Sequence, residues 1–108
     1  MIAKTIQPPY YAVIFTSVRT EIDEGYSAMA KKMEKLAKQQ PGFLGMESAR
    51  NEIGITISYW ESLEAIKAWK RNVDHLEAQS LGKTKWYKAY KTRIAKVERD
   101  YDFEGLKD

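Results

Sequence analysis

Residues 53–60, Ile53-Gly54-Ile55-Thr56-Ile57-Ser58-Tyr59-Trp60, decide the fold. Ile53, Ile55, Ile57 and Tyr59 share one side of this segment, and Gly54, Thr56, Ser58 and Trp60 the other. That is the period of two which an extended chain imposes on its side chains, so Ile53–Trp60 is read as a strand. Asn51-Glu52 before it suits a tight connection, and Phe43–Arg50 is read as the strand preceding that turn. Gln40-Pro41-Gly42 closes whatever comes earlier, because proline disfavours helical geometry in its predecessor and glycine accepts the turn.

Further upstream, Glu21–Gln40 is expected to be a helix. Tyr26, Met29, Met33, Leu36 and Ala37 recur at steps of three and four, an apolar stripe opposite Lys31, Lys32, Lys35 and Lys38. Tyr10–Arg19 (YYAVIFTSVR) is a first strand beginning after Pro8 and Pro9. It is apolar on both sides, with Tyr11, Val13 and Phe15 on one and Ala12, Ile14 and Val18 on the other, so it belongs where both faces are covered. Downstream, Ser62 is an N-cap for a helix over Leu63–Arg71, which buries Leu63, Ile66 and Trp69. Asn72-Val73 reads as a break. Asp74 and Glu77 then have capping-box spacing for a third helix from His75 toward Trp86, with Gly82 weakening its second half. Tyr90–Arg99 alternates as a last strand, Thr92, Ile94 and Lys96 against Arg93, Ala95, Val97 and Arg99.

The order β-α-β followed by β-α-α-β describes a ferredoxin-like α+β sandwich, a four-stranded antiparallel sheet with helices on one face. Helices cover one face only, yet the strands are apolar on both. A second copy of the chain is the simplest cover, which predicts a homodimer joined sheet to sheet. Phe103 and Leu106 in the acidic segment Asp100–Asp108 suit either an arm onto that partner or a frayed tail.

Composition narrows the function. A chain of 108 residues, 44% hydrophobic and 12% aromatic, has the length of one domain and enough apolar side chains to pack it. Without cysteine there is no disulfide, thiolate nucleophile or cysteine metal site. No apolar run reaches membrane-spanning length and residues 1–10 lack a signal-peptide core, so a cytoplasmic protein without membrane attachment is expected. The charge, 18 − 15 = +3, is spread among acidic residues rather than gathered into a basic stripe, so nucleic acid is not an expected partner. Phosphate loops, serine-nucleophile elbows, metal-binding His/Glu motifs and nucleotide fingerprints are missing from the sequence, so no cofactor is expected.

The segment from Ser58 to Tyr101 carries a family resemblance. The strand end Tyr59-Trp60-Glu61-Ser62, then Ala65, Trp69, His75, Gln79, Gly82, Trp86-Tyr87 and the closing Val97-Glu98-Arg99-Asp100-Tyr101 resemble the antibiotic biosynthesis monooxygenase domain family, as does Pro41-Gly42-Phe43. The resemblance implies a dimeric α+β barrel with a pocket between sheet and helices. Members include cofactor-independent oxygenases of polyketide phenols and heme-degrading enzymes. Trp69 matches the tryptophan with which oxygenase members hold a phenolic or quinone-like substrate. The tyrosine those enzymes carry six residues later is His75 here, and their asparagine four residues earlier is Ala65. The heme-degrading branch has its axial histidine where this chain has Gln79, and its first-strand asparagine where this chain has Phe15 or Thr16.

Candidate residues follow from both lines. His75 is the chain's only histidine, and imidazole is the side chain whose ordinary pKa lies nearest neutrality, so it is the candidate catalytic base. At a capped helix start the helix dipole would disfavour its cation, while Asp74 and Glu77 would favour it. The plainer reading is a helix-start histidine packed on the sheet or held by a carboxylate. Trp69, Asn72 and Tyr87 are candidate substrate-binding residues: an indole offers a flat wall and one donor, whereas core packing and a helix break explain the same residues structurally. A lone histidine argues against a metal site. The expected function is cofactor-independent oxygenation of a small aromatic or quinone-type molecule, with heme binding and non-catalytic ligand binding as the competing readings.

Overall fold

The computed structural model describes residues 2–80 and 85–105, and the side chains of these except 77–80. Its elements are β1 (Tyr10–Arg19), α1 (Tyr26–Lys38), β2 (Phe43–Arg50), β3 (Gly54–Trp60), α2 (Leu63–Ser80) and β4 (Tyr87–Val97). The sheet has the order β2-β3-β1-β4, and every neighbouring pair is antiparallel. This is the ferredoxin-like arrangement, with the doubly apolar β1 inside the sheet as its composition requires. Tyr11, Val13 and Phe15 of β1 pair with Trp60, Ser58 and Thr56 of β3. This is the helix side, where Ala37 of α1 and Ile66 and Trp69 of α2 close on Trp60 as the buried core. Trp60 and Trp69 stack at 5.9 Å with 26° between their planes. Ile55, Ile57 and Tyr59 lie on the other side, with Ala12 and Ile14.

The turn at Gly42 (φ 85°) needs glycine twice over, because a β-carbon there would also stand 2.8 Å from that of Ala65. Ser62 caps α2 as expected, its Oγ accepting from the Ala65 N–H at 3.1 Å.

Three expected boundaries are corrected. α1 begins at Tyr26 rather than Glu21, because Thr20 Oγ1 takes the Ile22 N–H and Arg19 holds Ile22 O and Asp23, which fixes residues 20–23 in a turn. The helix does not break at Asn72-Val73. Val73 and Leu76 extend the buried stripe of Ile66 and Trp69, and Lys70 pairs with Asp74 at 3.1 Å across the expected break. Asp74 is therefore not a cap and His75 is not at a helix start, so the dipole argument for His75 does not apply. The rest of the expected third helix, through Gly82, lies outside the described residues. β4 begins at Tyr87 instead of Tyr90, because the β1 ladder continues to Arg19↔Tyr87 past a bulge at Val18/Arg19.

Candidate functional site

Strand register gathers one group of side chains at the end of the sheet where β1 leaves and β4 enters. Ser17 faces Gly54 across β1 and β3, and Gly54 faces Arg50 across β3 and β2, so the three form a row on the helix side. Arg50 Nη2 crosses over Gly54 and donates to Ser17 Oγ. A β-carbon on Gly54 would run into the guanidinium, which is why the path needs glycine. Ser17 is 1% exposed whereas Arg50 is open to solvent, so the guanidinium is tethered at one point with most of its donors left over. Among the described residues no carboxylate pairs with it.

Arg19 is two residues farther along the same side of β1. Its guanidinium lies 3.4 Å above the Tyr26 ring, and Nη2 donates to Ile22 O and Asp23 Oδ1. Its buried Nε has no partner among the described residues. Phe15 packs 5.5 Å from Tyr87 and 5.2 Å from Tyr90, and Tyr26 lies 6.1 Å from Tyr87. Burial, and then a hydrogen bond with the Tyr26 hydroxyl, push the Tyr87 phenol far above its ordinary pKa, while Arg50 and Arg19 pull it down. Both guanidiniums thus lie within electrostatic reach of one phenolic oxygen, and that phenol stays protonated at neutral pH. Trp86 Nε1 donates to Glu24 O at 2.9 Å, which fastens the approach to α1 against the start of β4.

The topology directs α2 back along the helix side of the sheet, where Ile66 and Trp69 pack on Trp60. α2 leaves the far end of β3 and turns back across the sheet. Its 18 residues extend about 27 Å, slightly more than the seven residues of β3. Its C-terminal half is therefore carried toward the Ser17–Gly54–Arg50 row.

The four sequence candidates are not brought together around one space. Trp69 is 8% exposed and engaged with Trp60 in the core. Asn72 is exposed, and its Nδ2 donates to Gln40 Oε1 at 3.1 Å. His75 is exposed on α2, about 120° around the helix from Trp69. Tyr87 alone belongs to the cluster above. Ser17, Arg19, Arg50 and Tyr26, which the structure gathers with Tyr87, are not among the sequence candidates. The available signal was Gly54 inside an isoleucine-rich strand, the mark of a close approach, with Arg50 across a tight turn from it.

A cavity of about 490 Å³ opens on the opposite side of the sheet. The segment Ala3 to Gln7, Tyr10, Tyr59 and the tail at Asp100 to Asp102 enclose it, and none of the four candidates lines it. Tyr10 donates to Asp100 Oδ2 at 2.6 Å, and Tyr59 to Glu47 Oε1 at 2.7 Å. With Asp100, Asp102 and Glu104 around it, this space repels anions. Among the described residues no set of three histidines or carboxylates could hold a metal, and no helix is long and apolar enough to cross a membrane.

A four-stranded antiparallel sheet in the order β2-β3-β1-β4 with two helices on one side is a ferredoxin-like α+β fold. The family model for antibiotic biosynthesis monooxygenase matches residues 9–81, and the chain belongs to that family. It is 49% identical over 105 residues to the uncharacterized protein YqjZ of Bacillus subtilis (strain 168), covering 95% of this chain and 92% of that one. Among solved structures it resembles a mutant form of SnoaB of Streptomyces nogalater, a cofactor-independent oxygenase: TM-score 0.69, 9% identity, 84% of this chain and 95% of that one. It also resembles protein SO0527 of Shewanella oneidensis: TM-score 0.67, 7% identity, 89% of this chain and 97% of that one. At such identities the likeness is one of fold.

Proposed function

We propose that the protein is a cofactor-independent, monooxygenase-like enzyme that takes an aromatic or quinone-type small molecule between the sheet and α2, above the Ser17–Gly54–Arg50 row. The observation that carries this reading is the Arg50 guanidinium, without a carboxylate partner among the described residues, tethered to Ser17 opposite Tyr90 and within electrostatic reach of Tyr87, which packs with Phe15, Tyr26 and Tyr90. Flat rings suit an aromatic ligand, and a guanidinium stabilises the phenolate into which a phenol must be converted before it can give an electron to dioxygen. Recombination of the resulting radical pair bonds dioxygen to the ring carbon as a peroxide. Once this is protonated, the O–O bond breaks as the hydrogen on the same carbon leaves as a proton, so that one oxygen stays as a quinone carbonyl and the other departs as water. The protein supplies orientation, charge stabilisation and exclusion of solvent.

In this reading Tyr87 is a wall and a hydrogen-bond donor, and the phenol's proton leaves through solvent, for which His75, exposed on α2, is the candidate acceptor. Trp69 and Asn72 set the position of α2 through Trp60 and Gln40. Oxygen uptake with a panel of phenols and hydroquinones is the test. Turnover that needs dioxygen and drops about a hundredfold in Arg50→Gln supports the reading, and no uptake with any member at any pH defeats it.

The second part of the proposal is a homodimer. Ile55 is 38% exposed on the side of the sheet away from the helices, where Ile14 and Ile57 are only partly covered. On the tail, Tyr101 and Phe103 are 81% and 89% exposed. A second copy laid on this face would bury both sets.

A further inference from the structure

Two guanidiniums and one carboxylate meet at the end of the sheet. Arg19 is matched by Asp23 at 3.0 Å, and Arg50 is matched only by a neutral hydroxyl. That leaves one positive charge without a paired carboxylate among the described residues, held at Ser17 opposite Tyr90, at the same end of the sheet as a buried Arg19 Nε that lacks an acceptor there.

A solvated surface arginine would need no such arrangement. This one is drawn over Gly54 and tethered to Ser17 on β1, two strands away, which limits the rotamers it loses when a ligand arrives. Its fork matches two oxygens held in a plane, the geometry of a carboxylate or an ionised β-keto-enol.

We infer that Arg50 is a specificity-determining residue, and that the substrate carries an ionised carboxylate or acidic enol next to its aromatic ring. The inference rests on the proposed substrate position and adds a charge requirement to it. The phenol that reacts and the anion that anchors are neighbouring groups on one molecule, so that the guanidinium that pairs with the anion also faces the phenolate oxygen. The anchor fixes which ring edge lies toward the tyrosines and which is presented to dioxygen.

Calorimetric titration of the full chain with 1-hydroxy-2-naphthoate and with its methyl ester tests this. The two probes share ring and phenol and differ in one charge. The acid is expected to bind about tenfold or more tightly than the ester, as a charge-assisted pair with a tethered guanidinium allows. Arg50→Gln is expected to erase most of that preference, and Arg50→Lys, which keeps the charge without the fork, to restore only part of it. Gly54→Ala, which displaces the guanidinium by its β-carbon, serves if Arg50→Gln fails to fold.

Equal affinity for acid and ester in the native protein would overturn the charge requirement and leave the aromatic site standing. Binding of neither probe would overturn the site and the inference together. Loss of both probes alike in a folded Arg50→Gln protein would make Arg50 a scaffold for the site, and would also overturn the inference.

Discussion

Arg50 hydrogen-bonds Ser17 across an intervening strand, 33 residues away in sequence, and Gly54 is the space through which it does so. The obstacle that alanine would introduce at residue 54 is the mobile end of a side chain. Gly54→Ala should therefore cost less than about 1 kcal/mol of stability, since the guanidinium can swing clear. It should nevertheless weaken the site as much as Arg50→Gln does. Urea melts beside oxygen-uptake rates will separate the two effects, and a large stability loss would show that the arginine has no other place to go.

Trp69 is the largest test of the core. It is 8% exposed and stacked on the fully buried Trp60, so Trp69→Ala should cost about 3–5 kcal/mol and Trp69→Phe clearly less. Against a total stability of about 5–15 kcal/mol for a domain of this kind, the alanine variant should melt far below the parent. A change under about 1 kcal/mol would contradict the packing of α2 described above.

Glu47 and Tyr59 together predict two pH limits. The Tyr59 hydroxyl, and then the Ala3 N–H, donate to the Glu47 carboxylate and hold its pKa below the usual 4.5. A carboxylate depressed in the folded state stabilises the fold above its unfolded pKa, and that contribution disappears as pH falls through the folded one. Burial, and then the same bond, push Tyr59 up to about 12, so its contribution is complete below pH 10 and is lost as pH rises toward 12. Thermal melts of Glu47→Gln should show a shallower loss of stability below pH 4.5 than the parent. Identical acid limbs would mean that this bond is not made in solution.

The homodimer is checked at Ile55. Obligate homodimers bury about 2,000 Å² or more, so a lysine among the isoleucines of this sheet face should be poorly tolerated there. Sedimentation should find paired chains for the parent at low micromolar concentration, and a 12.5 kDa particle for Ile55→Lys. A folded single chain for the parent would remove the second copy from the proposal.

The parts of the fold legible in the sequence are those governed by local period. The alternation from Gly54 to Trp60, the doubly apolar β1 and the Ser62 cap each announced themselves. The continuity of α2 through Asn72 did not, because Asn72 satisfies itself on Gln40, a residue from another part of the chain, and Val73 and Leu76 are held by the core. Local propensity at Asn72-Val73 was overridden by tertiary burial. The site was less legible still. Tyr87 was visible as an aromatic within the resembling segment, whereas Arg50 gains its meaning only from a register that places residues 17, 50 and 54 side by side. His75 stands out in the sequence as a solitary imidazole, and the structure places it on the exposed side of α2, so its part in the proposal runs through solvent.

β4 forms one border of the sheet, hydrogen-bonded to β1 on one side and open on the other. An open border offers unpaired backbone groups to any strand that approaches, and so invites fibrous stacking. Along this one, Lys88, Lys91, Arg93 and Lys96 are interspersed with uncharged residues, and all four are exposed. Two such borders meeting edge to edge would bring like charges within a few ångströms of each other, and no acidic residue on the strand compensates them. Lateral growth along this border is thereby discouraged. Arg93 and Lys91, opposite Ile14 and Thr16, also rim the isoleucine-bearing face, so the proposed pairing through that face would close as two copies rather than extend as a ribbon.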